Sequence, residues 1–206
     1  AALAAAVAWV VAYRAKFRGA PGIKPPPFKA GMPWPQVALT WGGASATLLL
    51  LSWTNEQLKL ASKGSLPFLV GSFGALATLQ FGAHNSPLVQ PRNVIGGTTV
   101  AAAVAICFGY LAGIGTPGEN GENALMPLWV AVALAPATAI AAMARLGLTH
   151  PPAGAVALIF ISGPPAITHL GWLFLVCPVL IGNLLCCAMA AAINNLSAKR
   201  QYPLYY

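Results

Sequence analysis

The stretch LGLTHPPAGAVALIFISGPPAITHLGWLFLVCPVLIGNLLCCAMAAAINNLSA, residues 146–198, contains no Asp, Glu, Lys or Arg. A membrane helix needs about 20 mostly apolar residues, so this run has room for two crossings and a link between them. Working outward, residues 123–144, 93–118, 64–91 and 30–55 are equally free of charge, with room for one crossing each. Of the 206 residues, 58% are hydrophobic and 7% are charged, whereas a soluble domain carries about 25% charged residues. Eleven cations and three acids cannot cover a soluble surface of this size. A water-soluble globule, a disordered chain and a coiled coil are excluded. So is a nucleic-acid-binding domain, because the net charge of +8 comes without a dense basic face. The expected class is all-α, a polytopic transmembrane helical bundle.

Six apolar segments are expected at about 36–53, 66–82, 93–114, 125–144, 151–162 and 171–195. The second and fifth are short and rich in Gly, Ala and Ser, which let helices pack closely inside a membrane bundle. Ahead of them, residues 1–13 fit the tail of a membrane helix, an interfacial helix or part of a targeting segment. Residues 14–35 read as a basic arm along the headgroups. Pro25, Pro26 and Pro27 exclude helix within it, and Trp34 suits the interface. The expected divisions are therefore 1–35, a transmembrane domain over 36–196, and a tail over 197–206.

With six crossings, nine of the eleven cations fall on one side: Arg14, Lys16, Arg18, Lys24, Lys29, Arg92, Arg145, Lys199 and Arg200. Lys59 and Lys63 fall on the other, with all three acids. Making the short segments re-entrant weakens that asymmetry, so the positive-inside rule favours six crossings. A faint repeat supports the same layout. Phe73-Gly74-Ala75-Leu76-Ala77 echoes Ala153-Gly154-Ala155-Val156-Ala157, and the next segment in each half opens near Pro91 and Gly96 or near Pro178 and Gly182. Three crossings per half require inverted insertion, the 3+3 pattern of many secondary transporters.

Two motifs carry the polar chemistry. In AHNSPLVQPRNVIGG, 83–97, Pro87 and Pro91 stop a helix running through the link, while Gly96 and Gly97 open the third segment. Arg92 and Asn93 then sit at a helix start, where free N–H groups and the helix dipole favour a small anion. The plainer reading makes Arg92 one more cation paired with headgroup phosphates. In LTHPPAGA, 148–155, Pro151 and Pro152 suit a first helical turn, Thr149 is placed to cap it, and Gly154 permits close packing. His150 then lies at a second helix mouth as donor or proton carrier, or simply as a histidine bonded to backbone. Ser72 and Ser86 are further candidate donors.

The remaining polar groups point to little chemistry. Cys107, Cys177, Cys186 and Cys187 all sit in apolar runs without metal-ligand spacing. Glu119 and Glu122 read as a solvated loop. His84 and His169 are isolated, suited to the interface or, in a light-harvesting assembly, to ligating a pigment. No nucleotide-binding, zinc-protease or nucleophile-elbow fingerprint appears, so no catalysis, cofactor or metal is expected.

These residues resemble the HPP family of integral membrane proteins, named for the motif present here as His150-Pro151-Pro152-Ala153-Gly154-Ala155. Gly71-Ser72-Phe73-Gly74-Ala75, the run Ser86–Gly97, Asn194-Asn195 and Tyr202-Pro203-Leu204-Tyr205 are similar too. The resemblance covers about Trp34 to the C-terminus. It departs at Thr98, where family members often carry a His after the paired glycines. It implies transport of nitrite, as for cyanobacterial and plastid members, in a plastid inner envelope or thylakoid membrane, or otherwise a bacterial inner membrane. The expected partners are the lipid bilayer and a small anion, with a homo-oligomer or supercomplex as further possibilities. Binding is expected at Arg92, Asn93, His150, Ser72, Ser86 and Thr149, framed by Pro87, Pro91, Gly96, Gly97, Pro151, Pro152 and Gly154. The alternative is a structural subunit of a photosynthetic or respiratory supercomplex, docked through the arm, the tryptophans and Tyr205-Tyr206.

Overall fold

The computed structural model describes residues 2–17, 31–114 and 124–205. The triple proline, Glu119, Glu122 and Tyr206 lie outside them. Helix α1 (Ala2–Phe17) belongs to a unit of its own, Ala1–Pro33. It takes in the first apolar stretch and continues past Arg14 and Lys16, where the sequence suggested that an arm begins.

The second unit, Trp34–Tyr206, is helical with no strand among the described residues. Its elements are α2 (Trp34–Ala61), α3 (Ser72–Ala77) with a π-helical extension Thr78–Gly82, α4 (Pro91–Leu111), α5 (Leu128–Leu146), α6 (Pro151–Ser162), the short α7 (Pro165–Thr168), and α8 (Ile181–Asn194), which is preceded by a π-helical turn, Leu175–Leu180. Among the described residues four helices are long and apolar enough to span a bilayer: α2, α4, α5 and the run Leu175–Asn194. By contrast α6, with 12 residues, rises only about 18 Å against a hydrocarbon core of about 30 Å. The helix from Ser72 to Gly82 is no longer.

Several sequence-derived boundaries shift. The first segment was expected to stop near 53, but α2 continues to Ala61 because Thr54, Asn55, Glu56 and Gln57 are tolerated at a helix end. The second begins only at Ser72, because the N–H groups of Phe68 and Leu69 are taken by Asn55 Oδ1 in a non-helical stretch ahead of it. The last segment is broken at Cys177, whose backbone is extended (φ −133°, ψ 114°) before Pro178. The fifth segment is matched at both ends by α6.

Each long helix buries residues at four-residue spacing: Gly43, Thr47, Leu51 and Asn55 on α2; Gly97, Ala101, Ala105 and Gly109 on α4; Ala131, Ala135, Ala139 and Met143 on α5; Gly182, Cys186, Ala190 and Asn194 on α8. Mostly small residues on these rows let the backbones approach, and van der Waals packing then supplies what the hydrophobic effect cannot supply in lipid. The opposite faces carry exposed Trp41, Leu49, Trp53, Trp129 and Ile140. In water such faces would drive association; in lipid they are the expected surface.

Helix α4 is the centre of the bundle, packed on α5, α6 and α8. Hydrogen bonds fix which ends share a face. The starts of α2, α4 and α6 lie together with the end of the π extension, the end of α5 and the end of α8. At the opposite face, Asn55 at the end of α2 accepts from Phe68 and Leu69 N–H (2.9 and 3.0 Å). Leu111 O, ending α4, accepts from Leu125 N–H (2.8 Å) ahead of α5.

Candidate functional site

The two proline-led motifs meet. Helix α4 opens with Pro91 behind Gln90, and α6 opens with Pro151 behind His150. Gly147 ends α5 in a left-handed conformation (φ +65°), which turns its carbonyl toward Arg92 Nη1 (3.3 Å). Asn93 Nδ2 donates to Thr149 O (3.0 Å), and His150 Nδ1 lies 2.7 Å from Leu88 O. A carbonyl can only accept, so Nδ1 carries the proton, and in the neutral ring Nε2 carries the lone pair. His150 is completely buried, and Nε2 has no hydrogen-bond partner.

The candidate residues play unequal parts. Asn93 and His150 are buried, whereas Arg92 and Thr149 are exposed. Thr149 was expected to cap α6, but the cap position is His150, without a side-chain bond. The reason is that Pro151 and Pro152 occupy the first turn, where they offer no N–H to a capping hydroxyl. Ser86 Oγ accepts from Leu88 N–H (3.2 Å) and caps the 3-10 turn Pro87–Val89. Ser72 is buried with its hydroxyl unpartnered, but it begins α3, roughly 15 Å of helical rise from Gly82 and this mouth. Gly154 has room for a methyl group, 3.7 Å from Ile140. The tight position is Gly97, where a Cβ would sit 2.6 Å from Leu148 O and 3.0 Å from His150 Cβ. A groove of about 420 Å³ runs beside the mouth, lined by Ala75, Thr78, Leu79, Pro151, Pro152 and Ala155.

A second polar layer adjoins it, whose members the sequence reading named separately without joining them into a site. Arg200 is 5% exposed. Its Nε donates to Gln36 Oε1 (2.6 Å), Nη1 to Phe81 O (3.1 Å) and Asn194 Oδ1 (3.2 Å), and Nη2 to Gln36 O and Thr40 Oγ1 (both 2.7 Å). Tyr202, 1% exposed, donates its hydroxyl to Val89 O (2.9 Å). Gln90 joins His84 O, Ser86 O and Leu204 N–H. His84 is buried with both ring nitrogens unpartnered; burial, and then the charge of Arg200, hold its pKa below the usual histidine value. Among the described residues no three His, Cys, Asp or Glu side chains cluster as metal ligands.

The family model of the HPP transmembrane region matches residues 29–203. The chain belongs to the HPP family. Two transmembrane proteins of Dictyostelium discoideum are 32% identical to it, one over 96% of this chain and 64% of its own length, the other over 83% and 51%. The chain thus spans between half and two thirds of these curated relatives. No solved structure matches it. HPP membership together with the apolar helices makes this an integral membrane protein.

Proposed function

We propose that this HPP protein carries a small monovalent anion, nitrite first among candidates, across its membrane without catalysis. In this reading Trp34–Asn194 crosses six times as two inverted halves, α2–α4 and α5–α8, the non-helical stretch 65–70 before α3 and the residues 163–170 after α6 completing the two short crossings, in a plastid membrane of a phototroph or the inner membrane of a bacterium. The packing supports the halves. Helix α2 packs on α3 and α8 as α5 packs on α6 and α4, and α3 and α6 pack on each other. A Cβ at Gly97 would meet the residues entering α6, and one at Gly182 would run into the Phe73 ring of α3. Asn183 Nδ2 donates to Thr98 Oγ1 (3.1 Å) and ties the halves together.

The observation that carries the reading is the buried Nε2 of His150 at the joined starts of α4 and α6. A buried acceptor without a partner is costly; a proton taken up with the substrate would satisfy it and turn Nε2 into a donor for the anion. Arg92 sits at the rim with one N–H on Gly147 O, leaving donors and a full charge to draw an anion toward the helix starts. Rocking of the halves then exposes the site to each side in turn.

Proteoliposomes holding the purified chain should take up labelled nitrite faster than protein-free liposomes, with nitrate, formate and chloride as competitors. His150→Gln should abolish the difference, and Arg92→Ala should lower it while the protein stays folded. Uptake equal to that of empty liposomes would remove the transport reading, and unchanged uptake by Arg92→Ala would remove Arg92 from the site.

A further inference from the structure

The C-terminal tail does not leave the bundle after α8. Asn195 pins it with two bonds to Tyr202, Nδ2 to O (2.6 Å) and Oδ1 from N–H (3.1 Å). That fold-back sends Arg200 into the gap between the start of α2 and the end of the π extension. It also sends the Tyr202 ring beneath the loop 84–90, where the hydroxyl meets Val89 O and lies 3.6 Å from Cys187 Sγ. Beyond it, Leu204 N–H binds Gln90 Oε1 (2.8 Å). This loop also carries the Leu88 carbonyl that fixes the proton on His150 Nδ1. One short segment therefore touches three helix ends and holds, at Val89 and Gln90, the loop whose preceding carbonyl, Leu88 O, binds the histidine.

We propose that residues 195–205 form a strap that closes this mouth, with Tyr202 as the positioning residue that holds the 84–90 loop and so sets the tautomer of His150. Its role as a gate rests on the transport reading; its hold on the loop does not. When the strap lifts, the Val89 and Gln90 bonds break together, Leu88 O moves, and the Nδ1 proton of His150 loses its acceptor. Access to the mouth and the protonation pattern of the imidazole then change in one step.

Cys187 is a built-in reporter, because it lies against Tyr202. In a background with Cys107, Cys177 and Cys186 changed to Ala, the chain is reconstituted in nanodiscs and labelled with a membrane-impermeant maleimide. Asn195→Ala acts from the surface and leaves the contacts of Cys187 chemically untouched, while Tyr202→Phe removes only the hydroxyl. Each should speed labelling of Cys187 on the order of five-fold, the effect of losing one or two hydrogen bonds. Ser65→Ala, at the far end of the bundle, should not. Ring ¹⁵N shifts of His150 should show one tautomer in the parent and a mixture in both strap variants. Labelling at the parent rate together with an unchanged His150 spectrum would overturn the strap. Faster labelling in the variants, with no nitrite uptake by the parent, would support the strap and refute the transport reading.

Discussion

Gly97→Ala tests the packing on which the site depends. A Cβ there would lie 2.6 Å from Leu148 O, 3.0 Å from His150 Cβ and 3.2 Å from Met143 Sδ. The sulfur can move, but the carbonyl cannot, because Leu148 N–H is bonded to Met143 O (2.9 Å) and Thr149 O holds Asn93. Helix α4 must therefore retreat by roughly 0.5–1 Å, which takes the 3.0 Å Asn93–Thr149 bond to the edge of hydrogen-bonding distance. Overpacking costs about 1–3 kcal/mol and the weakened bond about 1 kcal/mol. Alanine's better helix propensity returns at most about 1 kcal/mol, so a net loss of about 1–3 kcal/mol is expected. Gly154→Ala is the control: its Cβ would meet only Ile140, at 3.7 Å, so only the propensity gain remains. Unfolding in lipid nanodiscs, followed by circular dichroism, should place Gly97→Ala below and Gly154→Ala at or above the parent. If Gly97→Ala were as stable as the parent, the close approach of α4 to the α5–α6 elbow would be wrong.

At the other face, Asn55→Ala strands the amides of Phe68 and Leu69. It should cost about 2 kcal/mol or more and speed hydrogen exchange in 66–71. His84 gives a pH signature. Its folded pKa lies below 6.5, so its stabilising contribution is complete above about pH 6.5 and is lost as pH falls toward the folded value. The slope is at most about 1.4 kcal/mol per pH unit; His84→Gln should flatten it in unfolding measured from pH 7 to pH 5.

The membrane class and most helix positions were legible because the absence of charge over a helix length has one common physical meaning. Leu-Thr-His-Pro-Pro-Ala-Gly was legible for a related reason, since prolines mark a helix start without any tertiary information. The buried face of each helix was harder to read. In a membrane both faces are apolar, so hydrophobic periodicity vanishes, and the signal that remains is small residues every fourth position, as in Gly97, Ala101, Ala105 and Gly109. The sequence reading gave the close contact to Gly154 and kept Gly97 only as a motif residue, because glycines look alike without the neighbour that decides, here Leu148 O. It also gave no structural part to Gln80, Gln90, Asn183, Asn194 and Tyr202, although Gln90, Asn194 and Tyr202 lie in the stretches that carry the family resemblance. Each of these bonds to a residue more than eighty positions away, and no local pattern announces such a pairing.

Arg92, Arg145 and Arg200 count alike in a tally of cations by membrane side, yet the fold treats them differently. Arg92 and Arg145 are exposed, and water and headgroups can solvate them. Arg200 is withdrawn from both and held by a fan of carbonyl, amide and hydroxyl oxygens from α2, the π extension and α8. A charge removed from water requires such replacement because its desolvation is so costly, and that requirement is directional. The five acceptors fit only when the three helix ends stand in one arrangement. The same face of the bundle therefore holds two kinds of arginine, one that faces the medium and one that reports whether the helix ends are together. If the halves rock, the bonds of Arg200 are among the first that must exchange, which places the energetic cost of opening in the tail rather than at the histidine.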